Sequence, residues 1–305
     1  MSPTSETFTA AVTLRETRPE HHDVAFTATT QPCPWPKAYG GDLVAAAVAA
    51  AMRTVPDVAT DAGNGKSLHS THSYFMRPAD IGADVTCEVE VLRDGRGYST
   101  RQVRAYQRGK AVYVALASFA TGEPGETFSS RPPQVPGPEE LPTSAQHLAE
   151  HPHDLPPAAA DYWGGGRSFD LRHLPGPLYL DVEGGRAPHQ AVWVRPFDAL
   201  RPVEGLSRAQ RDLAALAYVC DYTILEPVLR VLGAPWSRPG LVTASLDHAM
   251  WFHQVPAEGD LDGWLLYAQD ADHAGSGRGL GRGRFFTPDG RHLATVVQEG
   301  LVRAS

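Results

Sequence analysis

Over Leu241–Arg303 short apolar and polar runs alternate, broken by clusters of Pro, Gly and Asp. Period-two alternation between turn residues predicts strands: LVTASLDHAMWF, WLLYAQDADH, RGLGRGRFFT and HLATVVQEGLV, joined as an antiparallel meander. The pattern occurs twice. Its earlier copy spans Ser67–Phe119, and each copy opens with a strand that carries a histidine (His72, His248) and then aromatics (Tyr74-Phe75, Trp251-Phe252). A turn, a second strand, an Arg-Gly corner (Arg96-Gly97, Arg278-Gly279), a third strand and a tight turn follow in both, before a final apolar strand. Two strands are expected upstream of each copy: Phe8–Arg15 and Val24–Thr30, then Phe169–His173 and Gln190–Pro196. The chain therefore reads as a tandem duplication of a strand-strand-helix-meander unit.

The helical positions differ in character between the copies. In the first, Tyr39-Gly40-Gly41-Asp42 leads into LVAAAVAAAMRTV, an alanine-rich segment that forms helix readily and brings little bulk. Such a helix suits the inside of a curling sheet. Its glycines either permit tight packing or present backbone amides to a ligand carbonyl or phosphate. No Gly-Lys-Ser/Thr follows them, so they are not a P-loop. In the second copy Ser207–Leu232 has helical spacing, with Ser207 as N-cap and Pro227 forcing a kink or restart near Asp221-Tyr222-Thr223. Laying one copy over the other sets Asp221 roughly opposite Gly41-Asp42.

Length and composition agree with two units. The 305 residues, 42% of them hydrophobic, suffice for two domains with a substantial core. We expect an N-terminal unit over 1–120, a linker over 121–165 rich in Pro, Gly, Glu and Ser, and a C-terminal unit over 166–305. Within the linker a short helix is expected at Ala145–Glu150. A formal charge of −8 argues against a nucleic-acid partner. No apolar run approaches spanning length, and no export signal or peroxisomal address is visible, so a cytoplasmic location is expected. Three scattered cysteines fit a reducing compartment.

Candidate chemistry concentrates in the second unit. Asp221 is the odd residue in LAALAYVCDYTILEPVL, where a carboxylate needs a partner or a task, or caps a helix start. Gln298 interrupts an apolar last strand in the same way, while Thr243 and Ser245 on the opening strand are ordinary strand residues by pattern. Cys220 is a possible nucleophile, but no histidine is placed by sequence to activate it. The linker histidines His147, His151 and His153 beside Asp154 have metal-like spacing in a proline-broken segment that suits a rigid site poorly, and no metal is expected. A Gly-x-Ser-x-Gly elbow is absent. Arg278, Arg282 and Arg284 form a basic stretch that fits either a solvated strand face or contact with phosphates.

As a set, Tyr39-Gly40-Gly41, LHSTHSYFMRPAD, VEVLRDGRGYSTRQVRAYQRGK, the Asp221 helix, SLDHAMWFHQ and TVVQEGLVR resemble the type II acyl-CoA thioesterases, bacterial and peroxisomal. That resemblance covers nearly the whole chain. It implies an α+β double hotdog, two antiparallel sheets each wrapped around a central helix, that hydrolyses acyl-CoA to fatty acid and CoA without a cofactor. It places an aspartate, a hydroxyl and a glutamine around the attacking water, matching Asp221, Ser245 and Gln298. Substrate contacts are expected at Gly40 and Gly41 through helix-start amides, at Tyr222, Trp251 and Phe252 from their apolarity, which core packing explains equally well, and at Arg278 from the basic stretch. His72 and His248, recurring in both copies, suggest a shared structural job. A homodimer or homotetramer is expected. The alternatives are a non-catalytic acyl-CoA or acyl-carrier binding protein, a thioesterase acting on acyl-carrier protein, and a hotdog enoyl-CoA hydratase, whose Asp-x-x-x-x-His element is not found in a suitable context.

Overall fold

The computed structural model describes residues 5–56, 65–151 and 155–304. The chain runs α1 (Ser5–Val12), β1 (Arg15–Thr17), β2 (Val24–Thr29), α2 (Gly40–Met52), β3 (Lys66–Phe75), β4 (Asp84–Asp94), β5 (Tyr98–Gln107) and β6 (Lys110–Thr121). Next come α3 (Ser144–Ala149), α4 (Pro157–Asp161), β7 (Phe169–Leu174), β8 (His189–Pro196), α5 (Arg208–Val219) and α6 (Glu226–Leu232). β9 (Leu241–Ser245), β10 (Asp247–Phe252), β11 (Leu265–Gly275), β12 (Arg278–Phe286) and β13 (His292–Ala304) complete it. No helix among the described residues is long and apolar enough to cross a membrane.

The strands form one antiparallel sheet in the order β1-β2-β4-β5-β6-β3-β10-β13-β12-β11-β8-β7. Reading inward from either edge gives the same sequence of equivalents, so the duplication appears as a pseudo-twofold axis between β3 and β10. There the opening strands of the two meanders pair, with His72 opposite Ala249 and Ser73 opposite His248. The sheet curls around α2 and α5, and one continuous apolar core spans both units.

These two helices pack closely because their facing side chains are small. Gly41–Met52 are all buried, and a Cβ on Gly41 would lie 2.3 Å from the Tyr218 carbonyl oxygen. Gly40 approaches Asp221 just beyond the end of α5, while Gly205 before α5 meets Arg53 after α2, so the helices run antiparallel. This corrects the overlay of Asp221 on Gly41-Asp42. Aligned by their helices, Asp221 corresponds to the residues that follow α2, and antiparallel packing brings it to Gly40 in space.

Two further expectations change. Phe8–Arg15 is mainly helix: Phe8, Ala11 and Val12 recur at i, i+3 and i+4, all buried, and Phe8 packs edge-on against Phe169 and Tyr218. Only Arg15–Thr17 forms strand. LVTASLDHAMWF is two strands rather than one, broken at Leu246, whose N–H donates to the Glu299 carbonyl. Both halves pair with β13.

The helix break before Pro227 is shaped by the sheet beneath it. Gly279, Gly281, Gly283 and Gly300 lie where a Cβ would strike Val228, the Ile224 carbonyl, the Tyr267 ring and Leu225, at 2.2–2.4 Å. Gly281 of β12 and Gly300 of β13 thus let the Cys220–Leu225 turn settle on the strands, while Gly279 makes room for α6 and Gly283 for the Tyr267 ring. Gly281→Ala is expected to cost about 1–3 kcal/mol by overpacking, whereas Gly97→Ala, with its nearest atom at 3.7 Å, stays near neutral. Urea denaturation of both checks this; equal midpoints would refute the contact.

Candidate active site

α5 is capped by Ser207, whose hydroxyl accepts from the Gln210 N–H in a capping box, and ends as the backbone tightens into one 3-10 turn at Cys220–Tyr222. Asp221 lies on that turn. Leaving the regular helix frees its side chain from the buried α5 faces and turns it toward the start of α2. Ser245 is the last residue of β9, before the Leu246 break, and Gln298 lies on β13 in the position opposite Gly281.

These three side chains converge. Ser245 Oγ donates to Asp221 Oδ1 at 3.1 Å, and Gln298 Nε2 donates to the same oxygen at 2.7 Å and to Ser245 Oγ at 3.0 Å. The Gly41 N–H also bonds the carboxylate, which therefore sits at the positive end of α2. Even with these donors, burial raises the Asp221 pKa from 3.8 to about 6, with Gln298, Ser245, Lys37 and Gly41 each pulling it back down. Lys37 sits at the rim, its Nζ donating to the Thr243 carbonyl.

The site opens into a cavity of about 330 Å³. One wall is Lys37–Gly40 with Trp35 and Pro36, and another is β9 from Leu241 to Ser245. Tyr162, Trp163, Tyr222 and Trp236 make its lining strongly aromatic. Tyr39 stacks on Tyr222 with centroids 4.5 Å apart, and its hydroxyl donates to the Tyr218 carbonyl at 2.6 Å. Arg167, 3% exposed, donates from Nη2 to Tyr179 and Ser144 and lies over the Tyr222 ring.

Against this geometry the family comparisons are direct. Residues 31–120 match the acyl-CoA thioesterase N-terminal domain and residues 138–302 the acyl-CoA thioesterase C-terminal domain. The chain belongs to the acyl-CoA thioesterase family. It is 31% identical to acyl-CoA thioesterase 2 of Haemophilus influenzae over 286 residues, covering 93% of each chain. Identity to human acyl-coenzyme A thioesterase 8 is 32% over 279 residues, 88% of this chain and 82% of that one. An acyl-CoA thioesterase II from Mycobacterium marinum superposes with a TM-score of 0.72 at 30% identity, covering 98% of this chain and 97% of that one. The architecture is the α+β double hotdog of these thioesterase II structures.

The other sequence candidates are distributed as follows. Gly40 and Tyr222 line the cavity, and Gly41 is buried against Tyr39 and Tyr218 beside it. Trp251, Phe252 and Arg278 lie outside the lining: Trp251 is 36% exposed and packs edge-on against His72, Phe252 is in the core, and Arg278 pairs with Glu299. Arg282 and Arg284 pair with Asp270, so this basic stretch is neutralised within its own sheet. His147 bonds Glu183 at 3.0 Å with its ring 5.8 Å from that of His151, while His153 and Asp154 lie outside the described residues. Among the described residues no three His, Cys, Asp or Glu side chains cluster as a metal site would need.

Sequence reading assigned His248 only a structural job shared with His72; the structure sets it directly behind Gln298. Its Nδ1 lies 2.9 Å from Gln298 Oε1 and its Nε2 3.8 Å from Cys220 Sγ. A histidine does therefore meet Cys220, yet burial pushes the thiol well above its usual range and the imidazole down to about 4, which opposes a thiolate–imidazolium pair. The available signal was the recurrence of His72 and His248. It marked the pseudo-twofold seam, on which only His248 points at the candidate trio.

A raised carboxylate pKa has a stability consequence with a definite sign. Burying protonated Asp221 is easier than burying the ion, so its favourable contribution is complete below pH 3.8 and is lost as pH rises through about 6. Asp221→Asn is expected to be more stable than the parent at pH 8, by on the order of 2 kcal/mol, with the difference vanishing below pH ~4. Denaturation across this range checks it; a destabilised variant at pH 8 would contradict the electrostatic account.

Proposed function

We propose that this thioester hydrolase cleaves acyl-CoA with Asp221 as general base for an attacking water oriented by Ser245 and Gln298. The observation that carries the reading is the convergence of a partly accessible carboxylate, a hydroxyl and an amide on one corner of an aromatic cavity. Relatives named acyl-CoA thioesterases over most of the chain support the substrate class.

The residue types suit the chemistry. A thioester carbonyl is already electrophilic, so water needs placement and partial deprotonation more than metal activation. Asp221 accepts the proton, and a pKa near 6 makes it a stronger base than an exposed aspartate while leaving it mostly ionised at neutral pH. Ser245 both donates and accepts, and the Gln298 amide donates. Because the Gly41 N–H is engaged by the carboxylate, the Gly40 amide on the cavity wall is the helix-start donor assigned to the developing oxyanion. The cavity takes the acyl group, and collapse of the tetrahedral intermediate expels CoA thiolate, which gains a proton.

Asp221→Asn is expected to lower kcat by about 10²–10⁴-fold with folding intact. Near-parental turnover of acyl-CoA, followed with a thiol reagent, would remove Asp221 from this role. In the parent enzyme kcat/KM is expected to fall on acidification with a midpoint near pH 6, as the base becomes protonated. A profile flat down to pH 5 would place the base elsewhere.

A further inference from the structure

Gln298 serves the site only in one of its two amide orientations. Its Nε2 must face Asp221 and Ser245, since a carboxylate oxygen can only accept, and this leaves Oε1 on the opposite side. A reversed amide would set oxygen against oxygen at the Asp221 contact of 2.7 Å and withdraw the donor. Gln298 is wholly buried, so bulk water does not select the orientation.

We propose that His248 is a positioning residue for the hydrolysis: its Nδ1–H holds Gln298 Oε1 and thereby points the amide NH₂ at Asp221 and Ser245. The contact is 2.9 Å between two fully buried groups. Because Oε1 only accepts, Nδ1 must carry the hydrogen. Burial keeps the ring neutral, its pKa down at about 4, so Nε2 is left bare and faces Cys220 Sγ, whose S–H is directed to the Ala217 carbonyl. The imidazole is itself fixed by the sheet. Ser73 across the pseudo-twofold seam donates to the His248 carbonyl at 2.9 Å, and β10 is clamped between β3 and β13. An order of control follows: the seam places His248, His248 orients Gln298, and Gln298 holds the carboxylate and hydroxyl in register.

The inference rests on the proposed roles of Asp221 and Gln298, and a mutant cycle separates the two. With acyl-CoA as probe, His248→Leu is expected to lower kcat by about 10- to 100-fold while KM stays within about twofold. His248→Asn, whose side-chain NH₂ reproduces the Nδ1 donor, is expected to recover most of that loss. In a Gln298→Ala background, His248→Leu is expected to cost nothing more, because no amide remains to orient. An equal cost in both backgrounds, or an Asn variant as poor as Leu, would overturn the positioning role even where Asp221→Asn is inactive. Active Asp221→Asn would instead defeat the proposed function. If His248→Leu fails to fold, His248→Asn against the near-isosteric His248→Asp decides: donor retained and acceptor inactive supports the proposal, and equal kcat refutes it.

Discussion

The backbone approach of α2 to α5 is the constraint on which the rest of the molecule depends. A sheet that curls around two adjacent helices leaves them little width, and the helix facing α5 is accordingly Gly-Gly-Asp followed by Leu, Val and eight positions through Met52, six of them alanine. Antiparallel packing sets the positive start of α2 against the residues beyond the end of α5. A carboxylate at that junction gains a backbone N–H and a favourable dipole without a cation bonded to it. This makes a half-buried Asp221 at the cavity corner tolerable.

The electrostatics of the junction are a compromise between burial and donation. Desolvation alone would neutralise Asp221; the hydroxyl, the amide and the helix start oppose it and leave the pKa at about 6. The surrounding groups are kept uncharged by the same burial, with His248 down at about 4 and Cys220 and Tyr218 pushed up. The charged groups left to act on Asp221 are Lys37, which lowers its pKa, and the buried Asp42, whose own pKa the Asp221 charge raises. Gly281 of β12 and Gly300 of β13 contribute mechanically, because the turn carrying Asp221 rests on these positions, where any side chain would intrude.

Much of the architecture was legible because strand alternation and turn residues are local properties that repeat with the duplication. The meanders, the α2 segment and the Ser207 cap all follow from neighbouring residues. Asp221 and Gln298 stood out as polar residues in apolar surroundings, and the family resemblance joined Ser245 to them. Phe8–Val12 escaped because five residues carry too little periodicity to separate a short helix from a strand, and contact with Phe169 and Tyr218 decided it. The Leu246 break escaped because both of its flanks have strand-forming composition; pairing to Glu299 of β13 reveals it.

By itself the sequence determined a duplicated α+β chain, a slim central helix and an acid that its surroundings did not explain, since each is encoded in the order and type of nearby residues. Tertiary structure decided which side chains meet. Asp221, Ser245, His248 and Gln298 belong to separate elements, and only sheet pairing and antiparallel helix packing bring them within hydrogen-bonding distance. The aromatic cavity was decided in the same way: Trp35, Tyr162, Trp163 and Trp236 come from loops and turns distant in the chain, and their convergence is a property of how the two units close on each other.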